Sequence, residues 1–357
     1  MNEKQNLLNF TQQSLDIFFA ELGEKPYRTK QLMQWIYHQQ EFDFNQMLNF
    51  SKPLRAKLSE IATLELPQIA STNFALDGVI KFALELGENN QIETVFIPEK
   101  ERGTLCISSQ VGCALACTFC ATGAQGFNRN LSTAEIIAQV LIAQSYLADK
   151  NQRISNVVFM GMGEPLLNEQ AVYAACSLLL DDLAFGLSRR KVTISTSGVV
   201  PALERMADTT PVSLAISLHA ADDKLRDELV PINQKYPIKK LLSACQKYLN
   251  SGTQQRHIFF EYVMLAGVND SAEQAKKLAK LLQKLPVKVN LIPFNPFPQS
   301  RYQTSEATTI KAFQDILFKH GIRTMTRRTR GDEIASACGQ LAGKVVDKSK
   351  RGDDRRH

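Results

Sequence analysis

The sequence predicts an α/β protein: an incomplete (βα)6 barrel, preceded by a small helical domain and a short β extension. Apolar residues recur at helical spacing up to about residue 62, and at every second position from about residue 67 to 108. From residue 104 to 325, segments of strand type and helix type alternate strictly, which indicates a parallel sheet with crossover helices. Because such barrels place their chemistry at the carboxyl ends of the strands, we expect the functional residues there.

Composition limits the classes of protein that this chain fits. Its 357 residues exceed what one core usually serves, and 44% hydrophobic with 22% charged residues is typical of a globular protein. The start Met-Asn-Glu-Lys-Gln contains no apolar export segment, and no run of eighteen apolar residues occurs, so we expect a cytoplasmic protein without a membrane span. In that reducing compartment the seven cysteines are ligands, reactive thiols or core residues. The net charge of +6 is weak evidence for a polyanionic partner.

The first 62 residues predict three helices, at residues 14–22, 29–38 and 53–61. Their basic side chains fit two interpretations, a solvated surface or a docking surface for folded RNA. These side chains are Lys25, Arg28, Lys30, Lys52, Arg55 and Lys57. The next segments predict strands at residues 72–76 and 79–86 around the two-residue hairpin signal Asp77-Gly78, and at 92–97 and 104–108.

Six strand-helix units are predicted, starting from the strand at residues 104–108. The later strands are expected at residues 156–160, 191–195, 212–217, 257–264 and 288–292, with a last one at 323–325. The helices are expected at residues 133–148, 169–180, 201–207, 223–229, 238–250, 272–285 and 307–319. We therefore expect five parts: a helical accessory domain (1–65), the β extension (66–102), the partial barrel (103–326), a C-terminal cysteine segment (327–343) and a basic, disordered tail (344–357).

A cysteine-rich loop lies between the strand at 104–108 and the first barrel helix. Cys113, Cys117 and Cys120 follow a Cys-x3-Cys-x2-Cys spacing, and Gly112 and Gly123 permit turns at either end. Structural zinc takes four protein ligands and no second cysteine pair follows, whereas a 4Fe-4S cluster held by three thiolates leaves one iron open. Three buried structural cysteines are the alternative. The loop resembles that of the radical S-adenosylmethionine (SAM) enzymes, with Phe119 in the aromatic position.

Further motifs follow the predicted strands. Gly163 and Glu164 belong to Gly-Met-Gly-Glu-Pro at residues 161–165, which resembles the radical SAM motif that binds the amino group of the cofactor's methionine. Glycines permit close backbone approach and a carboxylate suits an ammonium group. Other polar strand-end residues fit either a ligand or a local cap, and their shared position favours a ligand. They are Ser195, the run Ser217, Leu218 and His219, and Asn295.

Ordered matching segments between residues 90 and 343 narrow the resemblance to the RlmN family of dual-specificity adenine methyltransferases, with Cfr as a relative. The segments include residues 91–98, 104–113, 126–131, 161–168, 191–201, 217–220, 293–296 and 337–341. The resemblance implies methylation of adenine C2 in 23S rRNA near the peptidyl-transferase centre, and of the adenosine 3′ of the anticodon in some tRNAs. It also implies two SAM molecules per turnover and a cytosolic electron donor such as flavodoxin. We expect a monomer.

The resemblance also assigns roles to three residues outside the cysteine loop. Cys338 matches the thiol that carries the methyl group, Cys106 the thiol that resolves the protein-RNA adduct, and Glu93 the base that takes the C2 proton. A radical route makes chemical sense because adenine C2 is not nucleophilic and cannot attack a SAM methyl group. Judged alone, Cys106 fits a core position and Glu93 an ordinary strand carboxylate, whereas Cys338, beside Gly339 and after a basic run, fits a reactive loop thiol.

Two alternatives stay open on the sequence, Cfr-like methylation at C8 and a non-catalytic iron-sulfur protein that binds RNA. Cys106, Cys338 and Glu93 separate the second alternative from an enzyme, because a binder needs neither extra thiols nor a base. Several basic residues are expected to contact phosphates around the mouth of the barrel. They are Arg189, Arg190, Lys191, Arg323, Arg327, Arg328 and Arg330.

Overall fold

A computed structural model describes residues 4–251 and 257–349, and one ten-stranded sheet organises them. In chain order the strands are β1 (Gln5–Asn6), β2 (Ala62–Thr63), β3 (Ile69–Phe74), β4 (Ile80–Glu85), β5 (Gln91–Pro98), β6 (Gly103–Cys106), β7 (Gln110–Gly112), β8 (Phe127–Asn130), β9 (Asn156–Phe159), β10 (Val192–Thr196), β11 (Ser213–Ser217), β12 (Ile258–Met264), β13 (Val287–Pro293) and β14 (Arg323–Thr326). The helices are α1 (Gln12–Glu21), α2 (Tyr27–Met33), α3 (Lys52–Ile61), α4 (Ala121–Ala124), α5 (Thr133–Ala148), α6 (Glu169–Leu180), α7 (Val200–Thr209), α8 (Asp223–Leu229), α9 (Ile238–Asn250), α10 (Ala272–Leu282) and α11 (Ala307–Lys319).

The large sheet confirms the predicted α/β fold and its incomplete barrel. Its strand order is β14-β13-β12-β11-β10-β9-β6-β5-β4-β3. Every neighbouring pair from β6 to β14 is parallel, so six crossovers join seven parallel strands, which are those of the six predicted units and the last strand predicted at 323–325. Strands β3 to β6 pair antiparallel, and the predicted β extension therefore continues the barrel sheet.

Local sequence explains why several helices begin and end where they were predicted. Helix α5 starts at a capping box, in which the Ser132 hydroxyl accepts from the Glu135 backbone and the Glu135 carboxylate accepts from the Ser132 backbone. Its apolar residues, including Ile136 and Val140, are buried against the sheet. Of the helices in the described ranges none is both long and apolar enough to cross a lipid bilayer.

The three predicted N-terminal helices are present, and they pack on the barrel. Helix α2 continues as a π-helical turn, Gln34–His38. The Asn9 side chain accepts from the Ala134 backbone at 2.8 Å, at the start of α5, and the Tyr37 ring lies 5.1 Å from that of Phe185. Because the buried residues of both regions form one continuous cluster, the helices bury their apolar faces against the barrel.

The hairpin between β3 and β4 differs from its prediction. The Ala75 backbone donates to the Val79 carbonyl, and the Gly78 backbone donates back to Ala75, which leaves a three-residue loop instead of the predicted two-residue turn. Gly78 has φ of +86°, the left-handed conformation that ends such loops. The Asp77-Gly78 signal located the turn correctly but gave the wrong loop length.

The tail prediction is wrong for residues 344–349. The Gln91 backbone at the start of β5 donates to the Lys344 carbonyl at 2.7 Å, and the Lys348 backbone donates to Phe127. The Asp347 carboxylate accepts from the Phe127 backbone at 3.0 Å. These bonds fix the segment against β5 and β8, and no local sequence pattern indicates such distant partners. The rest of the predicted tail, 350–357, lies outside the described residues.

Candidate active site

A cavity opens at the carboxyl ends of the parallel strands, where the sequence predicted the chemistry. Nine of the predicted site residues line it, namely Cys113, Cys117, Cys120, Gly163, Glu164, Ser195, Ser217, His219 and Cys338. The cavity lining does not include Glu93, Cys106, Leu218 and Asn295, whose places in the fold differ.

The short hairpin of β7 and β8 presents the cysteine loop. Gly112 ends β7 with φ of +77°, and a Cβ there would lie 2.2 Å from the Gly126 carbonyl oxygen, so only glycine fits. The Cys113 backbone donates to that same carbonyl at 2.7 Å, and the Cys120 backbone donates to Cys117 at 3.2 Å. The loop is therefore tied at its base and turned on itself, with its thiols facing one cavity.

The three thiols of the loop line one cavity, and three thiolates suit a 4Fe-4S cluster with one open iron. A 4Fe-4S cluster distributes its thiolates over several irons. Burial, and then the neighbouring Cys120 thiol, raises the pKa of Cys117 to about 12. Burial likewise raises the pKa values of Cys113 and Cys120, so a bound iron cluster would supply the positive charge that the thiolates lack.

Glu164 follows β9 and is buried at the cavity wall. Its Oε2 accepts from the Ser197 backbone at 2.8 Å and its Oε1 from Leu166 at 3.1 Å, while burial raises its pKa. Gly163 has φ of +98°, and a Cβ there would lie 2.5 Å from the Cβ of Gln110. The turn thus needs glycine at this position, and it brings a carboxylate to the cavity beside the cysteine loop.

The ends of β10 and β11 bring Ser195, Ser217 and His219 together. The hydroxyls of Ser195 and Ser217 are 3.5 Å apart. His219 accepts from the Val263 backbone through Nδ1 at 3.0 Å, which leaves its proton on Nε2, and burial lowers its pKa to about 3. The ring also lies edge-on to Phe119 of the cysteine loop, with 4.5 Å between centroids. A neutral imidazole therefore joins this edge of the sheet to the cysteine loop.

A buried arginine that sequence reasoning missed holds these strand ends in place. Arg226 of α8 is fully buried, and it donates to the carbonyls of Ser197, Ser217 and Leu218. Burial lowers its pKa to about 10. Leu218 is buried beneath the cavity, where its backbone donates to Glu261, so it contributes to the shape of the site instead of its lining.

The C-terminal segment brings Cys338 to the cysteine loop. The Ala121 backbone donates to the Gly339 carbonyl at 2.8 Å, and the Thr122 hydroxyl donates to Leu341 at 2.6 Å. Asn295 is near the cavity but does not line it, because its side chain donates to the Cys338 carbonyl at 3.1 Å. The exposed Cys338 thiol is thereby fixed at the cavity's edge.

Cys106 ends β6 and is buried. Burial, and then the neighbouring Cys338 thiol, raises its pKa to about 12, while the Met160 backbone N–H and the Arg327 guanidinium lower it. The two thiols are therefore close enough to interact electrostatically, although their residue numbers differ by 232. The remaining thiols, Cys176 and Cys245, are buried in α6 and α9, as packing residues would be.

Glu93 lies on β5 outside the cavity lining. Its Oε1 pairs with Lys81 Nζ at 2.9 Å and its Oε2 accepts from the Ala342 backbone at 2.8 Å. Both side chains of this ion pair are largely buried. A role as base requires at least one of these bonds to open, so that role stays a prediction.

The structure corrects the predicted phosphate contacts. Arg189, Arg190 and Lys191 precede β10, and Arg323 begins β14, so all four lie at the amino edge of the sheet, opposite the cavity. Arg330 is paired with Asp77 and Arg327 with Glu261. In the N-terminal domain Arg28 and Arg55 donate to the carbonyls of Asn49 and Asn45. Arg328 keeps its predicted place, exposed after β14.

The cavity is also lined by Glu261 and Arg327, which the sequence did not predict to form an ion pair in the site. Glu261 on β12 is 3% exposed, and its Oε1 accepts from Arg327 at 3.0 Å and from Asn290 at 2.8 Å. Its Oε2 faces no hydrogen-bond donor among the residues that the structure describes. Glu261 lies in the middle of an apolar strand, and a carboxylate at such a position was the one sequence signal that could have indicated a role in the site.

Comparison with known proteins leads to the same family as the sequence motifs do. The family profile described as "Ribosomal RNA large subunit methyltransferase N-terminal domain" matches residues 5–64, and that of the "Radical SAM superfamily" matches residues 107–282. The chain is 70% identical over 354 residues to the dual-specificity RNA methyltransferase RlmN of Ruthia magnifica subsp. Calyptogena magnifica, and 68% identical to that of Vesicomyosocius okutanii subsp. Calyptogena okutanii, covering 99% of each chain.

A solved structure agrees over almost the whole length. The crystal structure of a radical SAM methyltransferase from Sphaerobacter thermophilus superposes with a TM-score of 0.89 at 39% identity, covering 94% of this chain and 99% of that one. The relatives thus match the N-terminal helices, the barrel and the C-terminal segment together. The chain belongs to the RlmN family of dual-specificity RNA methyltransferases, radical SAM enzymes whose cofactors are a 4Fe-4S cluster and SAM.

Proposed function

We propose that this enzyme methylates C2 of an adenosine in 23S rRNA near the peptidyl-transferase centre and of the adenosine 3′ of the anticodon in some tRNAs. The position of Cys338 on the same cavity as the three loop thiols carries this proposal, because a methyl carrier has to lie beside the cysteine loop. Neither C8 methylation nor a purely RNA-binding role explains the family membership as well.

Cys113, Cys117 and Cys120 hold the cluster in this proposal, and the cluster with SAM supplies the radical when both are bound. Gly163 and Glu164 receive the ammonium group of the cofactor's methionine. Ser195, Ser217, His219 and Asn295 shape the rest of the pocket, with Leu218 beneath it. The carboxylate of Glu164 is suited to this task because it is buried, its partners are backbone N–H groups and the hydroxyls of Thr196 and Ser197, and no ion pair joins it to a cation of the described residues.

Cys338 carries the methyl group in this proposal, Cys106 resolves the adduct and Glu93 accepts the C2 proton. Because a base inside a stacked RNA cannot reach a cavity at the sheet edge, the target nucleotide turns outward. A flavodoxin-like protein supplies the electron, and the enzyme works in the cytoplasm as a monomer. The exposed Arg301 and the half-buried Tyr302 add to the mouth of the cavity, since the Tyr302 hydroxyl lies 2.9 Å from that of Thr118 in the cysteine loop.

The test of this proposal locates the new carbon on RNA. Reconstituted enzyme, a reductant and SAM with a labelled methyl group are incubated with a 23S rRNA fragment or with tRNA, and the modified adenosine is identified by mass spectrometry. We expect 2-methyladenosine in both RNAs. Label at C8, or no label on adenine, contradicts the proposal.

The same assay separates the two thiols. Cys338→Ala removes the methyl carrier, so neither protein nor RNA should gain label. Cys106→Ala keeps the carrier and lacks the resolving thiol, so a protein-RNA adduct stable in denaturant should accumulate, and Cys106→Ala/Cys338→Ala should show none. Cys176→Ala, a buried thiol remote from the cavity, is the control and should turn over normally. Normal turnover by Cys106→Ala would refute the carrier mechanism.

A further inference from the structure

The last part of the described chain lies along the second half of the cysteine loop. That half, residues 121–128, leads from Cys120 into β8, and the segment beside it, residues 339–348, follows Cys338. We call residues 339–348 the C-terminal strap. The strap begins at Gly339, whose carbonyl accepts from the loop, and further bonds follow along its length.

Two amide side chains of the loop bind carbonyls of the strap. The Gln125 side chain donates to the Ala342 and Gly343 carbonyls, each at 2.9 Å. The Asn128 side chain donates to the Val346 carbonyl. Side-chain amides thus join two backbone segments that form no regular sheet with each other.

Asp347 fixes the far end of the strap at the base of the loop. Its Oδ1 accepts from the Phe127 backbone at 3.0 Å, and the Lys348 backbone donates to the Phe127 carbonyl at 2.9 Å. Gly126 lies against the same carboxylate: its φ is +87°, and a Cβ there would lie 2.2 Å from Asp347 Cγ. The Gly126 carbonyl in turn accepts from the backbone of Cys113, the first thiol of the loop. Asp347 therefore packs on the residue that ties the two ends of the loop together.

The other side of the strap is fixed to the start of β5. The Gln91 backbone donates to the Lys344 carbonyl at 2.7 Å, and the Val346 backbone donates to the Asn90 side chain at 2.9 Å. A Cβ at Gly343 would lie 2.0 Å from the Gln91 carbonyl oxygen, so the strap fits closely against the strand. The strap thus joins the large sheet to the cysteine loop.

The hairpin that presents the cysteine loop depends on such support. Strands β7 and β8 form a two-stranded sheet of their own, which is not paired with the large sheet. Two-stranded hairpins are marginally stable in isolation, and segments held by few contacts open at a low cost in free energy. A cluster is retained only while its thiolates stay in place. Opening of the second half of the loop would displace Cys120 and release the cluster.

We propose that the C-terminal strap retains the iron-sulfur cluster: Gln125, Asn128 and Asp347 are positioning residues that bind the second half of the cysteine loop to the strap, and the strap binds it to the large sheet. Because the strap directly follows Cys338, one segment fixes both the cluster loop and the proposed methyl carrier. This inference rests on the proposed function, because it takes the three loop thiols to be the cluster ligands assigned there.

Loss of iron to a chelator tests the proposal without turnover. Full-length enzyme is reconstituted anaerobically, unbound iron is removed, and bathophenanthroline disulfonate is added with dithionite. The absorbance of the ferrous chelate then gives the rate at which the cluster is lost.

Asp347→Ala should speed this loss by about tenfold, because the opening of the loop no longer breaks a hydrogen bond to a charged group. Asn128→Ala removes a neutral hydrogen bond and should speed it about fivefold. Lys348→Gln is the matched control. Its side chain pairs with Glu88 at the surface, at 2.9 Å, so this variant should lose iron at the wild-type rate.

Urea separates local opening from general destabilisation. Local opening exposes little surface, so below the unfolding transition the rate of iron loss should hardly depend on urea in wild type and in Asp347→Ala. A rate that rises with urea as steeply as global unfolding does would overturn the inference.

Equal rates of iron loss in Asp347→Ala and wild type also overturn the inference, and so does equal acceleration in Lys348→Gln. These outcomes leave the cluster assignment intact, because wild type then still holds its cluster. Wild type that takes up neither iron nor sulfide would instead overturn the cluster assignment, and with it the proposed function.

Discussion

The two edges of the parallel strands carry similar residue types in different surroundings. At the carboxyl edge Ser195, His219 and Glu164 are buried around a cavity. At the amino edge Arg189 and Arg323 are exposed, and His257 has its pKa lowered by burial and by the nearby Lys288 and Arg323. At the amino edge Lys288 and Arg323 oppose a positive charge on His257, whereas at the carboxyl edge Arg327 is paired with Glu261. Burial and side-chain partners, and not residue type, distinguish the residues of the site from those of the surface.

The strongest test of this contrast removes one thiol at the carboxyl edge. Cys117→Ala should lose iron, sulfide and all SAM cleavage after anaerobic reconstitution, because only two of the three thiols of the loop remain to hold the cluster. Iron and sulfide analysis measures this. Cys245→Ala, a buried packing thiol in α9, should keep its cluster. A full cluster in Cys117→Ala would end the assignment of the loop.

Replacing Glu93 tests the role of a buried carboxylate that lies near the carboxyl edge but outside the cavity lining. Glu93→Gln leaves Lys81 buried without its anion and should lower the free energy of unfolding by about 3–5 kcal/mol, as measured by urea denaturation. Lys81→Gln is the matched control with a similar stability loss. If Glu93 is the base, only Glu93→Gln should lose methylation per folded molecule. Equal activity in the two variants would make Glu93 structural.

Glu164 tests the proposed SAM contact. Glu164→Ala should weaken SAM binding by about tenfold to a hundredfold, the range for losing a hydrogen bond to a charged group, while iron content is unchanged. Isothermal titration of the cluster-loaded protein measures it. Glu169→Ala, whose carboxylate pairs with Arg205 at the surface, should bind SAM as wild type does. Equal affinities of Glu164→Ala and wild type would contradict the assignment.

The smallest expected effect concerns phosphate contacts. Arg328→Gln should reduce the slope of log affinity for RNA against log salt by about one, because one counterion release is lost. Arg189→Gln, equally exposed at the amino edge, should leave the slope unchanged. Filter binding at several salt concentrations measures both. A larger change in slope for Arg189→Gln would indicate that the RNA binds at the amino edge instead.

Local patterns predicted the elements of the barrel but few of the contacts between them. Helix α5 was bounded correctly because Ser132 and Glu135 are close in sequence, and the strand-end positions of Ser195 and Glu164 follow from alternation alone. The Arg327–Glu261 pair spans 66 residues and the Arg330–Asp77 pair spans 253, so both arginines were predicted as free phosphate ligands. Partners this distant depend on the completed fold, which no local periodicity encodes.

Residues 338–348 fasten the end of the chain to the cysteine loop and to β5, and this has a consequence for folding. The bond from Gln91 to Lys344 closes a loop of more than two hundred residues, and contacts of such high sequence separation form late and slowly. The sheet can assemble progressively as each strand-helix unit is added, whereas Cys338 reaches the cysteine loop only after the last strand, β14, has been made. A nascent chain would therefore contain the cysteine loop well before it contains Cys338, so the proposed methyl carrier takes its place late in folding.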